Sequence, residues 1–249
     1  MRRYIEDYVN PHDVGVCEEI MTPDYVVHIG GRHLAGRDDR YIPAAAANFV
    51  SFPDLHLVVH EVVTNGDRFA FRFTEIGTHL DGAACRWAGI GVYRWDGTRL
   101  VENYVEQDHL SRRRQLGGDG PDPVEEVDPD AWSTRAEPAS AATEAVVRAW
   151  IERGDLTNVA GREAAVIDDS WFRGPWTCPV SVEHVEVDDF FTAGSRAAAH
   201  VRLVGTAEEG APGELNVALI AAVDGERVAR VHAVTDRIDL ANRLAGLAR

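Results

Sequence analysis

Shifted against itself by one fixed offset, this sequence falls into register with itself. Gly66-Asp67-Arg68, opening GDRFAFRFTEIGT, lands on Gly194-Ser195-Arg196, opening GSRAAAHVRLVGT, and both runs close on Gly-Thr, at Gly77-Thr78 and Gly205-Thr206. The same shift (68 to 196) places Asp96-Gly97-Thr98-Arg99 on Asp224-Gly225-Glu226-Arg227 and Asp108 on Asp236. A constant, gap-free offset across separate blocks marks an internal repeat, and one this long describes whole domains rather than short stacking units. A chain of 249 residues with 45% hydrophobic content can build a core in each of two domains.

Each copy reads as helices followed by long strands. In the first, MRRYIEDYV, the stretch from Asp13 to Met21, and RYIPAAAANFV (40–50) suit helices, and the alanines favour the last of them. In the second, ASAATEAVVRAWIERGD sets Ala145, Val146, Ala149 and Trp150 at helical spacing. The second copy is shorter upstream of its repeat, so the helix near Ala44 to Phe49 is missing or reduced there. Asn65-Gly66, Asp81-Gly82, Asp96-Gly97 and Asp224-Gly225 are hairpin turn signals that space the strands. Between the copies, GGDGPDPVEEVDPD is too rich in Gly, Pro and acid for a helix or central strand. The expected organisation is an α+β chain of two tandem cone-shaped barrels, each with N-terminal helices on a curved antiparallel sheet. The first spans 1–117, the linker 118–138 and the second, degenerate barrel 139–249.

The formal charge is −16, from 41 acidic and 25 basic residues, which argues against nucleic acid and anionic membrane surfaces as partners. The run Arg112-Arg113-Arg114 reads as a solvated helix face. Cys17, Cys85 and Cys178 are odd in number and scattered, as free thiols of a reducing compartment are. The N-terminal segment has charge but no apolar stretch of a secretion signal, so a cytoplasmic protein is expected.

The order of several short blocks in the first copy gives a resemblance. Tyr25-Val26-Val27-His28 and Phe52-Pro53-Asp54-Leu55 come first, then Asn65-Gly66-Asp67-Arg68 and Gly77-Thr78-His79. Tyr93-Arg94-Trp95-Asp96-Gly97 and Leu100-Val101-Glu102 lead on to Asp108, and Gln115-Leu116-Gly117 closes the copy. Over about 115 residues this resembles the SnoaL-like polyketide cyclases and the ester-cyclase group, within the nuclear-transport-factor-like (ketosteroid isomerase-like) superfamily. The resemblance implies a cone-shaped pocket, ring closure of a polyketide-like intermediate by proton transfer, and no metal or cofactor. The family's acid/base carboxylate maps to Asp108, and its histidines to His28 and His79. Where those cyclases place polar groups before the last hairpin, this chain has Ile90-Gly91-Val92. The second copy lacks the FPD, GTH and QLG blocks.

Strand alternation puts Glu102, Tyr104, Glu106 and Asp108 on one face. A carboxylate among apolar groups is poorly solvated as an anion, so its pKa rises and it becomes a usable acid and base near neutrality. Tyr104, His28 and His79 are candidate donors to a developing enolate. The other reading of Asp108 is a cap for the helix DHLSRRRQL. Phe69, Phe71, Phe73, Trp87 and Tyr93 are the candidate substrate-binding aromatics, and Arg72 and Arg94 fall on the opposite strand face. His12, His33 and His109 read as surface residues. His56 and His60 share a face but have no third ligand at useful spacing, so no metal site is expected. In the second copy His232 and Asp236 repeat the spacing of Tyr104 and Asp108, and Trp171, Phe172 and Trp176 are candidate caps for either pocket.

The expected activity is a cofactor-independent cyclase acting on a small hydrophobic substrate. Asp108 would assist ring closure, or an apolar pocket would close the ring by shape, a reading the Ile90 to Val92 run suits. Epoxide opening is the alternative chemistry and needs a second carboxylate, for which Glu75 and Glu61 are the in-strand candidates. An inert binding cone is the non-catalytic alternative. The second copy would supply the contact that single-module relatives obtain by pairing, an intrachain pseudo-dimer able to dimerise further.

Overall fold

A computed structural model describes residues 1–154, 156, 165–168, 178–207 and 210–246. Trp171, Phe172 and Trp176 lie outside them. The fold is α+β, two modules in tandem. The first sheet contains β1 (Met21–Ile29), β2 (Arg32–Ala35), β3 (His56–Thr64), β4 (Arg68–Thr78), β5 (Ala84–Trp95) and β6 (Leu100–Gln107), in the order β2-β1-β6-β5-β4-β3. The second contains β7 (Ala165–Asp168), β8 (Ser181–Ala193), β9 (Arg196–Thr206), β10 (Pro212–Asp224) and β11 (Arg227–Thr235), in the order β7-β11-β10-β9-β8. The sequence led one to expect antiparallel sheets, and neither sheet is wholly so. β1 runs parallel to β6, and β7 parallel to β11, because the chain crosses the cone between them.

The two sheets break register at matching places. In the first, two shifts fall between Val59 and Glu61 and between Arg94 and Trp95, beside an unmatched one between Met21 and Val26. In the second, two fall between Val187 and Asp189 and between Ala222 and Val223, beside an unmatched one between Val182 and His184. The matched shifts are at the same positions under the sequence offset (59 to 187, 94 to 222). A bulge is a specific feature that bends a strand and re-aims its side chains, so both sheets curve alike.

The first sheet wraps helical turns at Tyr4–Val9 and Arg37–Tyr41, the short α1 (Cys17–Ile20), and α2 (Ile42–Ser51). Asn10 pins the N-terminal turn to β3, exchanging two hydrogen bonds with the Leu57 backbone (2.7 and 3.2 Å). Each last strand runs into a helix, α3 (His109–Leu116) in the first module and α5 (Arg237–Leu244) in the second. α4 (Ala141–Glu152) fills the second cone, where Val147, Trp150 and Ile151 pack with Ala197, Ala199 and Val201.

Both faces of the first sheet are covered. Odd-numbered residues such as Phe71, Phe73, Tyr93 and Val105 join Tyr8, Met21 and Tyr25 on the helix side. Even-numbered Ala70, Ala88, Ile90 and Val92 meet Phe191, Ala198, Ala218, Ile220 and Val234 of the second sheet in a separate apolar layer. At about 1.5–3 kcal/mol for each large aliphatic chain removed from water, this layer holds the modules face to face. The 118–138 segment is strapped to the first module. Glu125 pairs with Arg72 (2.6 Å), Trp132 packs near Phe71 (centroids 6.5 Å apart), and the Glu137 amide donates to the Thr64 carbonyl (3.0 Å). Among the described residues, no helix is long and apolar enough to cross a membrane.

Candidate functional site

A cavity of about 450 Å³ opens between the first sheet and its helices. It stays hollow for local reasons. α2 faces it with Ala44, Ala45, Ala47, Asn48 and Ser51, side chains too short to fill the space, beside the single large ring of Phe49. On the sheet, Gly91 leaves room for the Tyr93 ring, since a Cβ there would sit 2.5 Å from the ring carbon Cε2. Gly89 does the same for Phe73, whose ring overlies it. Tyr4, Tyr8, Tyr41 and Tyr93 line the walls, with the Tyr4 and Tyr41 hydroxyls 3.0 Å apart. Burial pushes the pKa of all four phenols far up, so they remain O–H donors at any ordinary pH.

The polar end of the cavity is built by β4, β6 and α3, which contribute Glu75, Gln107, His109 and Arg112. Trp87 Nε1 lies 3.0 Å from Gln107 Oε1. An indole N–H can only donate, so the amide oxygen must face Trp87 and the amide nitrogen must face Glu75, to which it donates at 3.1 Å. Glu75 Oε2 has no hydrogen-bond partner among the described residues. Burial lifts the Glu75 carboxyl to a pKa of about 7, against the pull of the Arg112 charge and the Gln107 amide. Of the described residues lining the cavity, Glu75 is the sole carboxylate.

The oxygen of Gln107 also fixes His109, whose Nε2 lies 3.0 Å from it and therefore carries a proton. The other ring nitrogen faces Asp236 Oδ2 of the second module at 3.0 Å. A single proton must occupy that contact, as imidazolium with carboxylate or imidazole with carboxylic acid, and either way the pair is neutral overall. Burial holds the His109 pKa below its ordinary value, against the pull of Asp236. Asp236 meanwhile caps α5 through its other oxygen, accepting from the Ile238 amide (3.2 Å). Gly30 in the β1–β2 turn gives Asp236 its space, since a side chain there would collide with the carboxylate.

The candidates expected on the Asp108 face are on one face, but it is the face turned toward the second sheet. The cavity sees Asn103, Val105 and Gln107 from β6 instead. Asp108 is 1% exposed and caps α3, accepting from the Ser111 amide at 3.0 Å. Burial raises its pKa to about 6, opposed by the Ser111 bonds and Arg237. Tyr104 stacks on His28 (centroids 4.0 Å, planes 3° apart) and lies 5.1 Å from the His200 ring of β9. His28 bonds Glu102 at 2.9 Å. His79 sits in an outer turn beside Asp81 (2.9 Å) and against Phe52. His28 and Tyr104 thus meet each other, but the four candidates do not form one site and none of them lines the cavity.

Of the aromatics, Phe73 and Tyr93 line the cavity, while Trp87 stands behind Gln107. Phe71 supports Tyr93 from within the core, stacked at 5.0 Å, and Phe69 packs on Trp95. His232 on β11 faces the space between the sheets, beside Arg196 and Arg230, while Asp236 faces His109 of the first module. Glu61 lies in that same space and pairs with Arg196. The run Ile90-Gly91-Val92 is split by alternation. Ile90 and Val92 belong to the intersheet layer, so the run does not make the cavity apolar. His109, read as a surface residue, is drawn inward between Gln107 and Asp236. Arg112, read as part of a solvated face, lays its guanidinium over Trp87 (5.1 Å to the centroid) and Phe52 (5.8 Å).

Glu75, Gln107, His109 and Arg112 carry no motif. Register was the signal that could have found them, since Glu75 lies opposite Trp87, and Gly89 opposite Gln107, across successive hairpins.

Residues 1–116 match the SnoaL-like polyketide cyclase family. Solved structures resemble parts of the chain. One is a proposed SnoaL-like polyketide cyclase from Jannaschia sp. CCS1, 20% identical, with 47% of this chain and 88% of that one covered and a TM-score of 0.44. IdmH, a proposed polyketide cyclase from Streptomyces antibioticus, is 26% identical over 45% of this chain and 91% of its own, with a TM-score of 0.40. AclR, a proposed hydroxylase from Streptomyces galilaeus, is 22% identical over 43% and 86%, with a TM-score of 0.39. No curated protein matches the sequence.

Proposed function

We propose that the module matching the SnoaL-like polyketide cyclases closes a ring in a polyketide-like intermediate, and that Glu75 is its acid and base. The observation behind this is a buried carboxyl on the cavity wall, held by Gln107 and lifted to a pKa of about 7. A base with that value is half ionised at neutrality, where proton transfer in both directions is efficient. Ionised Glu75 takes the proton from a carbon beside a substrate carbonyl. The enolate carbon then bonds to a second carbonyl carbon, and the new alkoxide takes the proton back from Glu75. Tyr93 and Tyr4, held as O–H groups by their raised pKa, donate to the oxygen on which charge develops. Asp108, placed as a helix cap, has no part in this reading. With Glu75 as the sole carboxylate among the described lining residues, epoxide opening by paired carboxylates is less well supported.

The matching register breaks support reading the two modules as copies of one ancestor. The second, its cone filled by Trp150 and Ile151, would serve as a built-in dimer partner that lends Asp236 to His109.

The test is Glu75→Gln, which keeps the shape and the Gln107 contact but holds no transferable proton. With linear poly-β-ketone thioesters as substrates and products followed by mass spectrometry, turnover should fall by about 10²–10⁴-fold. Wild-type turnover should rise with pH about a midpoint near 7, where Glu75 ionises. Undiminished turnover in Glu75→Gln would remove Glu75 from the chemistry.

A further inference from the structure

The cavity end beside Glu75 has more positive charge than its own residues balance. Arg112 and Arg32 both line it. Among the described residues, neither guanidinium makes an ion pair within 4.0 Å or a hydrogen bond. Arg112 is flanked by aromatic faces, with Trp87 at 5.1 Å and Phe52 at 5.8 Å, which cover its plane and leave its N–H edge to face other groups. The neighbouring His109–Asp236 pair holds one shared proton and adds no net charge. Glu75 contributes between zero and one negative charge near neutrality. The balance is therefore one to two positive charges, in a chain whose total is −16. Arg32 and Arg112 both lower the tendency of His109 to charge, and Arg32 adds to burial in lowering the pKa of Arg112, which places the three side chains within electrostatic reach of one another. Like charges gathered at the end of an apolar cavity are unfavourable unless an anion joins them.

We propose that Arg112 and Arg32 form an oxyanion subsite, so that the substrate is an apolar chain or ring system bearing a carboxylate or phosphate at one end. The inference rests on the proposed cavity reaction and names its substrate class. The planar N–H edge of Arg112 suits the two oxygens of a carboxylate or phosphate, and Arg32, exposed on the β1–β2 hairpin, closes over the group from the cavity mouth. Bound there, the anion lies next to Glu75, and the rest of the substrate extends along Phe73, Tyr93 and the alanines of α2.

The experiment uses the full chain and three probes of one shape: 6-phenylhexanoate, its primary amide and 6-phenylhexyl phosphate, titrated by calorimetry at low salt. The acid should bind about tenfold or more tightly than the amide, the margin a charge-assisted hydrogen bond gives. That ratio should collapse to within about threefold in Arg112→Gln, shrink in Arg32→Gln and survive in Arg112→Lys, which keeps the charge. The phosphate arm separates the sources. Tighter binding of the acid indicates a free polyketide acid, and tighter binding of the phosphate a chain still borne on a phosphorylated carrier arm. Equal binding of acid and amide by wild type, a comparison needing no variant, would overturn the subsite, as would an acid preference that persists in the Arg32→Gln/Arg112→Gln double variant. Glu75→Gln should keep the acid preference. If it loses turnover while wild type shows no acid preference, the subsite alone fails. If the preference stands and Glu75→Gln still turns over, the assignment of Glu75 alone fails.

Discussion

Asp108 and Glu75 show how burial alone fails to identify a reactive carboxylate. Both are nearly inaccessible, at 1% and 6% exposure, and burial raises the pKa of both. Each has one buried oxygen without a hydrogen-bond partner among the described residues, and they differ in where the carboxylate stands. Asp108 Oδ1 accepts the Ser111 amide at the start of α3, a bond that satisfies one of the orphan donors every helix N-terminus leaves. Glu75 faces the cavity. The repeat mate of Asp108 supports the cap, since Asp236 caps α5 as Asp108 caps α3. The shared position of these two aspartates is thus explained by a helix that begins at the same point in both modules. Asp108→Ala should cost about 0.5–2 kcal/mol in denaturant unfolding, the range for a lost cap. Asp108→Asn, whose amide oxygen still caps, should recover most of it, and both variants should keep ring closure. An Asp108→Asn protein of normal stability but without turnover would restore Asp108 as the acid/base group.

At the level of the strand, the legible part was the frame and the hidden part was which face looks inward. The turns came from Asn-Gly and Asp-Gly pairs, and their chemistry is visible at Asp96, whose Oδ1 accepts from the Thr98 and Arg99 amides (both 2.7 Å) while Gly97 takes φ +98°. The repeat offset found the second sheet. Alternation correctly grouped Glu102, Tyr104, Glu106 and Asp108, but a strand covered on both faces gives the same apolar signal in either direction. Only the second sheet, against Ala88, Ile90 and Val92, decides which is which. Gln107 was hidden for the same reason, an isolated polar residue on the face taken by Phe71, Phe73 and Val105, and Glu75, on that same face, was legible only as an in-strand candidate that nothing set apart from Glu61. The glycines of β5 carry information that the sequence pattern does not express. Gly91→Ala would set a methyl 2.5 Å from the Tyr93 ring. The ring must swing into the cavity or the strands must part, and overpacking of this kind costs about 1–3 kcal/mol. Thermal unfolding should shift down accordingly, and binding of any cavity ligand should weaken with it. An unchanged melting temperature would mean the ring is not held over that glycine.

Across the whole molecule, the two modules meet through an apolar layer crossed by buried charge. His200 of β9 reaches Glu106 of β6 at 3.0 Å and Asp188 at 2.9 Å. Arg68 and Arg94 of the first module pair with Asp189 of the second. At the helix ends the contacts reciprocate, His109 with Asp236 (3.0 Å) and Arg237 with Asp108 (3.9 Å), as two halves of a pseudo-dimer related by a twofold axis would. This arrangement dictates how stability follows pH. Burial raises Glu106 to a pKa of about 7, Glu75 to about 7 and Asp108 to about 6, from ordinary values of 4.5, 4.5 and 3.8. Between those limits the folded chain binds more protons than the unfolded one, so stability is present below the ordinary values and is lost as pH rises through the raised ones. Burial opposes the charging of His200, but Asp188 and Glu106 outweigh it and hold its pKa at about 9, up from 6.5. That contribution is complete below 6.5 and is lost as pH rises through 9. All four groups act in the same direction. The opposite slope comes from Asp54, Asp96 and Asp188, whose pKa values lie below 3.8, and from His28 and His109, whose pKa values burial holds below 6.5; these contributions are lost as pH falls. The melting temperature should therefore be highest between about pH 4 and 6 and fall steadily to pH 9. Because Glu106 and His200 join the modules, the fall should be one cooperative transition of the whole chain by calorimetry. A melting temperature that climbs from pH 5 to 8 would show that these buried groups titrate as they do in water, and that the intersheet layer admits solvent.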